Sequence, residues 1–96
     1  MKRKYEVMYI IRPNVEGEEV KQIVNNFNEV FTSHESSVVE LKEIGLQDLA
    51  YEIDRHRKGY YVWLLVDATS EAIAEFNRLV RINEQVIRFI VVKEGE

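Results

Sequence analysis

Four strand-like segments and two amphipathic helical segments follow one another in the order β-α-β-β-α-β. That order predicts an α+β fold of the ferredoxin-like kind, a four-stranded antiparallel sheet with two helices on one face. Three observations make the case. An alternating apolar strand stops at Pro13, helix-period apolar runs follow Val15 and Ser70, and a β-branched, aromatic run extends from Gly59 to Val66. Right-handed crossovers place the first and third strands side by side at the centre and the second and fourth at the edges.

The first strand covers Tyr5 to Ile11, where Tyr5, Val7, Tyr9 and Ile11 recur at every second position. Pro13 ends it. Val15 to about Phe31 places Val20, Ile23, Val24, Phe27, Val30 and Phe31 three and four residues apart, the spacing of an amphipathic helix. Glu16, Glu18 and Glu19 lie at its start, where the helix dipole favours anions. Thr32 to Ser37 is a loop. Val38 to Ile53 is extended, with Gly45 as a bulge or bend. Asp54 to Lys58 is a polar turn, and Gly59 to Val66 is the third strand. Thr69 or Ser70 caps a second helix bearing Ile73, Phe76, Leu79 and Val80. Asn83 to Gln85 turns the chain into a last strand, Val86 to Lys93.

Ninety-six residues fit one domain, residues 1–96. The absence of cysteine removes disulfides and thiolate metal sites and suits a reducing compartment. No apolar run approaches the ~20 residues of a membrane span, and the basic start, Met1-Lys2-Arg3-Lys4, leads into a strand and not a signal peptide. The net charge of −4 argues against nucleic-acid binding by bulk electrostatics. Cations nevertheless cluster at Lys2, Arg3 and Lys4, and again at Arg55, His56, Arg57 and Lys58. Arg78, Arg81, Arg88 and Lys93 are scattered through the last quarter.

Two helices cover one face of a sheet, so the other face should be polar. The strands do not comply. With Val7, Tyr9 and Ile11 inward, Met8 and Ile10 face outward. Tyr61, Trp63 and Leu65 are expected inward as core aromatics and aliphatics, leaving Tyr60, Val62 and Leu64 outward. Ile87, Phe89 and Val91 are expected inward, leaving Ile90 and Val92 outward. An open face of Met8, Ile10, Val62, Leu64, Ile90 and Val92 is an apolar patch, the mark of a protein partner.

Catalytic chemistry finds little material. His34 lies in a loop and His56 in a basic turn, neither with a spaced ligand set, so no metal is expected. Ser33, Ser36 and Ser37 sit outside any Gly-x-Ser-x-Gly elbow. Arg12-Pro13-Asn14 occupies the loop where acylphosphatases of this topology bind phosphate, but it lacks the glycines that expose backbone N–H groups, and Glu16, Glu18 and Glu19 oppose an anion. Lys58-Gly59-Tyr60-Tyr61-Val62-Trp63 has the flavour of an RNA-recognition motif. Its consecutive tyrosines point to opposite faces, and Tyr60 shares its face with Val62 and Leu64, which offer no stacking platform.

Two segments carry a family resemblance. Tyr5-Glu6-Val7-Met8-Tyr9-Ile10-Ile11-Arg12-Pro13-Asn14 and the Leu49-Ala50-Tyr51-x-Ile53 core after Gly45 together resemble small-subunit ribosomal protein six of bacteria, over about Lys2 to Glu94. The resemblance implies the ferredoxin-like fold and a structural, non-enzymatic role in the cytoplasmic ribosome. It implies binding to the central domain of small-subunit ribosomal RNA together with small-subunit ribosomal protein eighteen. Neither a cofactor, nor a small-molecule substrate, nor a membrane is implied. By position, RNA-backbone contacts fall to Lys2, Arg3, Arg88 and Lys93. The partner surface combines Tyr51 of the arm with Met8, Ile10, Tyr60, Val62, Leu64 and Ile90 of the open face. Members usually carry two basic residues before Leu-Ala-Tyr, where this chain has Gln47 and Asp48. The competing class is a protein-interaction or small-ligand regulatory domain of the same fold, altered away from RNA.

Overall fold

A computed structural model describes residues 2–95. The elements are β1 (Arg3–Ile11), α1 (Gly17–Thr32), β2 (Ser37–Ile53), β3 (His56–Ala68), α2 (Ser70–Ile82) and β4 (Val86–Lys93). They form one antiparallel sheet in the order β2-β3-β1-β4. The ferredoxin-like arrangement is therefore present, with β1 and β3 central and β2 and β4 at the edges.

The helices are set by the expected residues. Val20, Ile23, Val24, Phe27, Val30 and Phe31 are the buried face of α1. Thr69 caps α2, its hydroxyl accepting from the Ala72 N–H at 3.1 Å. The same hydroxyl donates to the His34 carbonyl at 3.3 Å, and the Thr69 N–H donates to Ser36 Oγ at 3.0 Å. One residue thus starts a helix and ties it to the loop that ends the other. His34 Nδ1 donates to the Val30 carbonyl at 2.8 Å, so this histidine closes the end of α1.

The core lies between the helices and one sheet face. Tyr9 stands edge-on to Phe27 with ring centroids 5.0 Å apart, and Phe76 meets Phe27 at 5.3 Å and Phe31 at 5.4 Å. Such aromatic contacts add roughly 0.5–1.5 kcal/mol each beyond the area they bury.

The face expected of β3 is reversed. Val62, Leu64 and Val66 are fully buried beneath the helices, while Tyr61, Trp63 and Leu65 are half-buried on the other face. The register requires this, because Leu64 pairs with Val7 and Val62 with Tyr9, whereas Trp63 pairs with Met8 and Tyr61 with Ile10. The physical reason is volume. Tyr9, Phe27, Phe31 and Phe76 already fill the core with rings, and β3 completes it with smaller aliphatics. In β4, Phe89 and Val91 pack inward as expected. Ile87 does not, because a register shift beside Ile11 brings Val86 into that place.

Candidate partner surface and nucleic-acid interface

The uncovered face is built in rows that cross the sheet. Lys42, Trp63, Met8 and Ile90 form one row in the order of the strands. Glu40, Leu65, Glu6 and Val92 form the row beside it. The Lys42 ammonium sits 5.3 Å from the centre of the Trp63 ring, a cation–π contact at the edge of the apolar strip. Ile90 and Val92 are 48% and 50% exposed, so β4 contributes open aliphatic surface. Lys42 and Glu40 edge this apolar strip along β2, while Glu6 stands inside its second row between Leu65 and Val92.

A hairpin arm crosses the opposite end of this face. The two-residue turn at its tip has φ of 48° at Asp54 and 68° at Arg55, the signs a tight primed hairpin turn needs. β3 therefore begins at His56 and not after a longer polar turn. Gly45, with φ of 97°, marks a register shift in β2, as the sequence suggests. A larger irregularity follows. Asp48 pairs with Lys58 and Ile53 with His56, so Leu49, Ala50, Tyr51 and Glu52 all stand against Arg57 alone. Extra residues in one strand force it to bend. The bend brings Leu49 over Gly59 and Ile10: a Cβ on Gly59 would lie 2.2 Å from Ile10 Cγ2 and 3.5 Å from a Leu49 methyl. Ile10 is only 7% exposed as a result. Tyr51 reaches across to β4, where the Arg88 guanidinium donates to its hydroxyl and lies 5.5 Å from the ring centre.

The expected partner residues divide accordingly. Met8 and Ile90 lie on the open face, and Tyr51 is 59% exposed on the arm. Ile10 is on that face but roofed. Val62 and Leu64 are corrected: at zero exposure beneath the helices they can meet no partner. Tyr60 is corrected with them, because it packs against the core and its hydroxyl donates to Glu43 Oε1 at 3.1 Å. Tyr61, Trp63 and Leu65 take their places, and the expectation that Tyr61 and Trp63 are core aromatics fails with the face of β3. Asp67 shares their parity, so its charge on the same strand could have revealed which face meets water.

The expected RNA residues fall at two places. Tyr5 pairs with Lys93, and the Glu94 N–H donates to the Lys4 carbonyl at 2.9 Å. The exposed residues Lys2 and Arg3 and the half-buried Lys93 therefore share one end of the sheet. Arg88 lies at the other end, opposite Ile10. The basic cluster of the arm is partly matched by acids, with Lys58 3.9 Å from Asp48 and Arg57 3.8 Å from Glu52. Asp48 is thus answered within its own hairpin. Among the described residues, no group of three histidine, aspartate or glutamate side chains is placed to hold a metal ion. No described helix is long and apolar enough to cross a membrane.

Topology, bare apolar face and folded arm together define a small ferredoxin-like protein. Residues 4–93 match the family described as ribosomal protein S6. The chain is 62% identical over 94 residues to small ribosomal subunit protein bS6 of Acholeplasma laidlawii, covering 98% of this chain and 99% of the relative. It is 53% identical over 92 residues to the protein of the same name from Phytoplasma australiense, covering 96% and 99%. The crystal structure of 30S ribosomal protein S6 from Thermotoga maritima superposes with a TM-score of 0.92, at 24% identity, over 98% of this chain and 89% of that one. The chain belongs to the ribosomal protein S6 family, whose members are structural and not enzymatic.

Proposed function

We propose that this protein is a structural component of the small ribosomal subunit that binds the central domain of small-subunit ribosomal RNA jointly with small-subunit ribosomal protein eighteen. The observation that carries the reading is the bare apolar face. Trp63, Met8, Leu65, Ile90 and Val92 sit on one side of a chain with net charge −4. Apolar strips of this kind serve protein docking, and tryptophan is among the residues that most often anchor an interface. An acidic chain has little bulk attraction for RNA, so a protein partner that brings positive charge makes RNA assembly favourable. Phosphate contacts then fall to local cations, Lys2, Arg3 and Lys93 at one end of the sheet and Arg88 at the other. The working site is the cytoplasmic ribosome.

Replacing Lys2 and Arg3 with Ala tests the RNA half of this reading. The expected result is weaker assembly on the RNA in the presence of the partner, with a shallower dependence on salt. The log–log slope falls by roughly 0.7–0.9 for each phosphate that is no longer neutralised, on the scale of nucleic-acid polyanions. An unchanged slope removes these two residues from the RNA interface.

A further inference from the structure

The family resemblance implies an RNA contact for Arg88 and a protein partner for Tyr51, yet the two side chains touch. We propose that Arg88 and Tyr51 form a latch that fixes the hairpin arm across the open face, making both of them positioning residues for the partner surface. The latch deepens the docking function proposed above and rests on it for its purpose, though not for its structural part.

The irregular stretch of β2 is where a restraint is needed. Leu49 to Glu52 stand against a single β3 residue, so the regular ladder to β3 does not hold this segment. Backbone outside a ladder opens easily unless side chains restrain it. Two restraints are present. Leu49 packs where Gly59 lacks a Cβ, beside Ile10. Beyond it, the Arg88 guanidinium donates to the Tyr51 hydroxyl. Arg88 lies on β4, the edge strand opposite the one that carries Tyr51. The pair therefore spans the sheet and closes the arm into a wall beside Met8, Ile10 and Ile90. A rigid wall lowers the ordering cost of docking. With the guanidinium engaged on Tyr51, its orientation is also set before any phosphate arrives.

Amide hydrogen exchange on the full chain tests the latch without any ligand. Residues 47–58 are expected to exchange a few-fold faster in Arg88→Ala and in Tyr51→Ala, the scale of one exposed side-chain hydrogen bond. Amides of β1 keep their wild-type rates, which shows that the core is intact. Tyr51→Phe, which keeps the ring and loses the hydroxyl, falls between. Combining Arg88→Ala with Tyr51→Ala adds little beyond either alone. Unchanged arm exchange in Arg88→Ala, additive effects in the double variant, or an arm that exchanges in wild type as fast as an unfolded chain would each overturn the latch. Binding of purified small-subunit protein eighteen, without RNA, is the second readout. Weaker binding by Tyr51→Phe, whose charge is unaltered, supports the positioning role, and equal binding refutes it. If the wild type does not bind that protein at all, the docking function fails, while the exchange data still decide the latch.

Discussion

Tyr9 buries its hydroxyl beneath the helices without a hydrogen-bond partner. Burial pushes its pKa well above that of a free phenol, and the charge of Glu43 pushes the same way. The phenol thus stays neutral in the folded protein, while the unfolded chain ionises it near its ordinary value of about 10. Stability is full below that pH and falls as pH rises past it, by up to about 1.4 kcal/mol per pH unit for one such group. Tyr60 is shifted upward as well and adds in the same direction. Replacing Tyr9 with Phe is expected to leave the protein as stable or about 1 kcal/mol more stable at neutral pH, since an unmet buried hydroxyl disappears. Its urea midpoint should also decline less steeply above pH about 10. An alkaline decline equal to that of the wild type would show that Tyr9 is not the group responsible. The identity of Tyr9 as a core residue was readable from its alternation with Val7 and Ile11. The lack of a partner for its hydroxyl was not, because that depends on how Phe27 and Phe76 close around the ring.

Among the elements, the helices were the most readable and the arm the least. Six apolar residues at helical spacing specify the buried face of α1 without ambiguity. The last strand likewise keeps the expected bounds, Val86–Lys93. β3 is apolar at every position from Tyr60 to Val66, so alternation cannot orient it, and ring size was a poor guide. The arm depends on a register defect in β2 and on side chains brought together across the whole sheet, neither of which leaves a periodic trace. At Gly59, where the arm packs back on β1, a local substitution has a clear consequence. Gly59→Ala drives a methyl into Ile10, which is buried and cannot yield freely. Overpacking of this kind costs about 1–3 kcal/mol. Ile10→Ala in the same chain should recover part of that loss, so a double-mutant cycle is expected to show coupling of at least about 0.5 kcal/mol. Additive effects would place the strain elsewhere.

At the scale of the whole molecule, one sheet face builds the core and the other stays uncovered, and Trp63 tells them apart. Its indole is half-buried on the uncovered face, between Lys42 and Met8 in the row that ends at Ile90. A core tryptophan cut to alanine costs about 3–5 kcal/mol. Only part of this ring has left water, so Trp63→Ala is expected to cost about 1–2 kcal/mol, which a protein of ordinary stability survives folded. The same substitution removes the largest apolar group of the strip, and large aromatic anchors commonly carry about 2 kcal/mol or more of an interface. Binding of the partner protein should therefore fall by about thirtyfold or more, converted at about 1.4 kcal/mol per decade. Emission of the wild-type indole, the single tryptophan of the chain, should shift to the blue when the partner docks and change little when RNA alone is added. If emission is already blue and indifferent to the partner, and Trp63→Ala costs as much as a core residue, the open face is not the docking surface. If docking shifts the emission and the folded variant loses affinity, the ring that ring size alone assigns to the core is the anchor of the assembly.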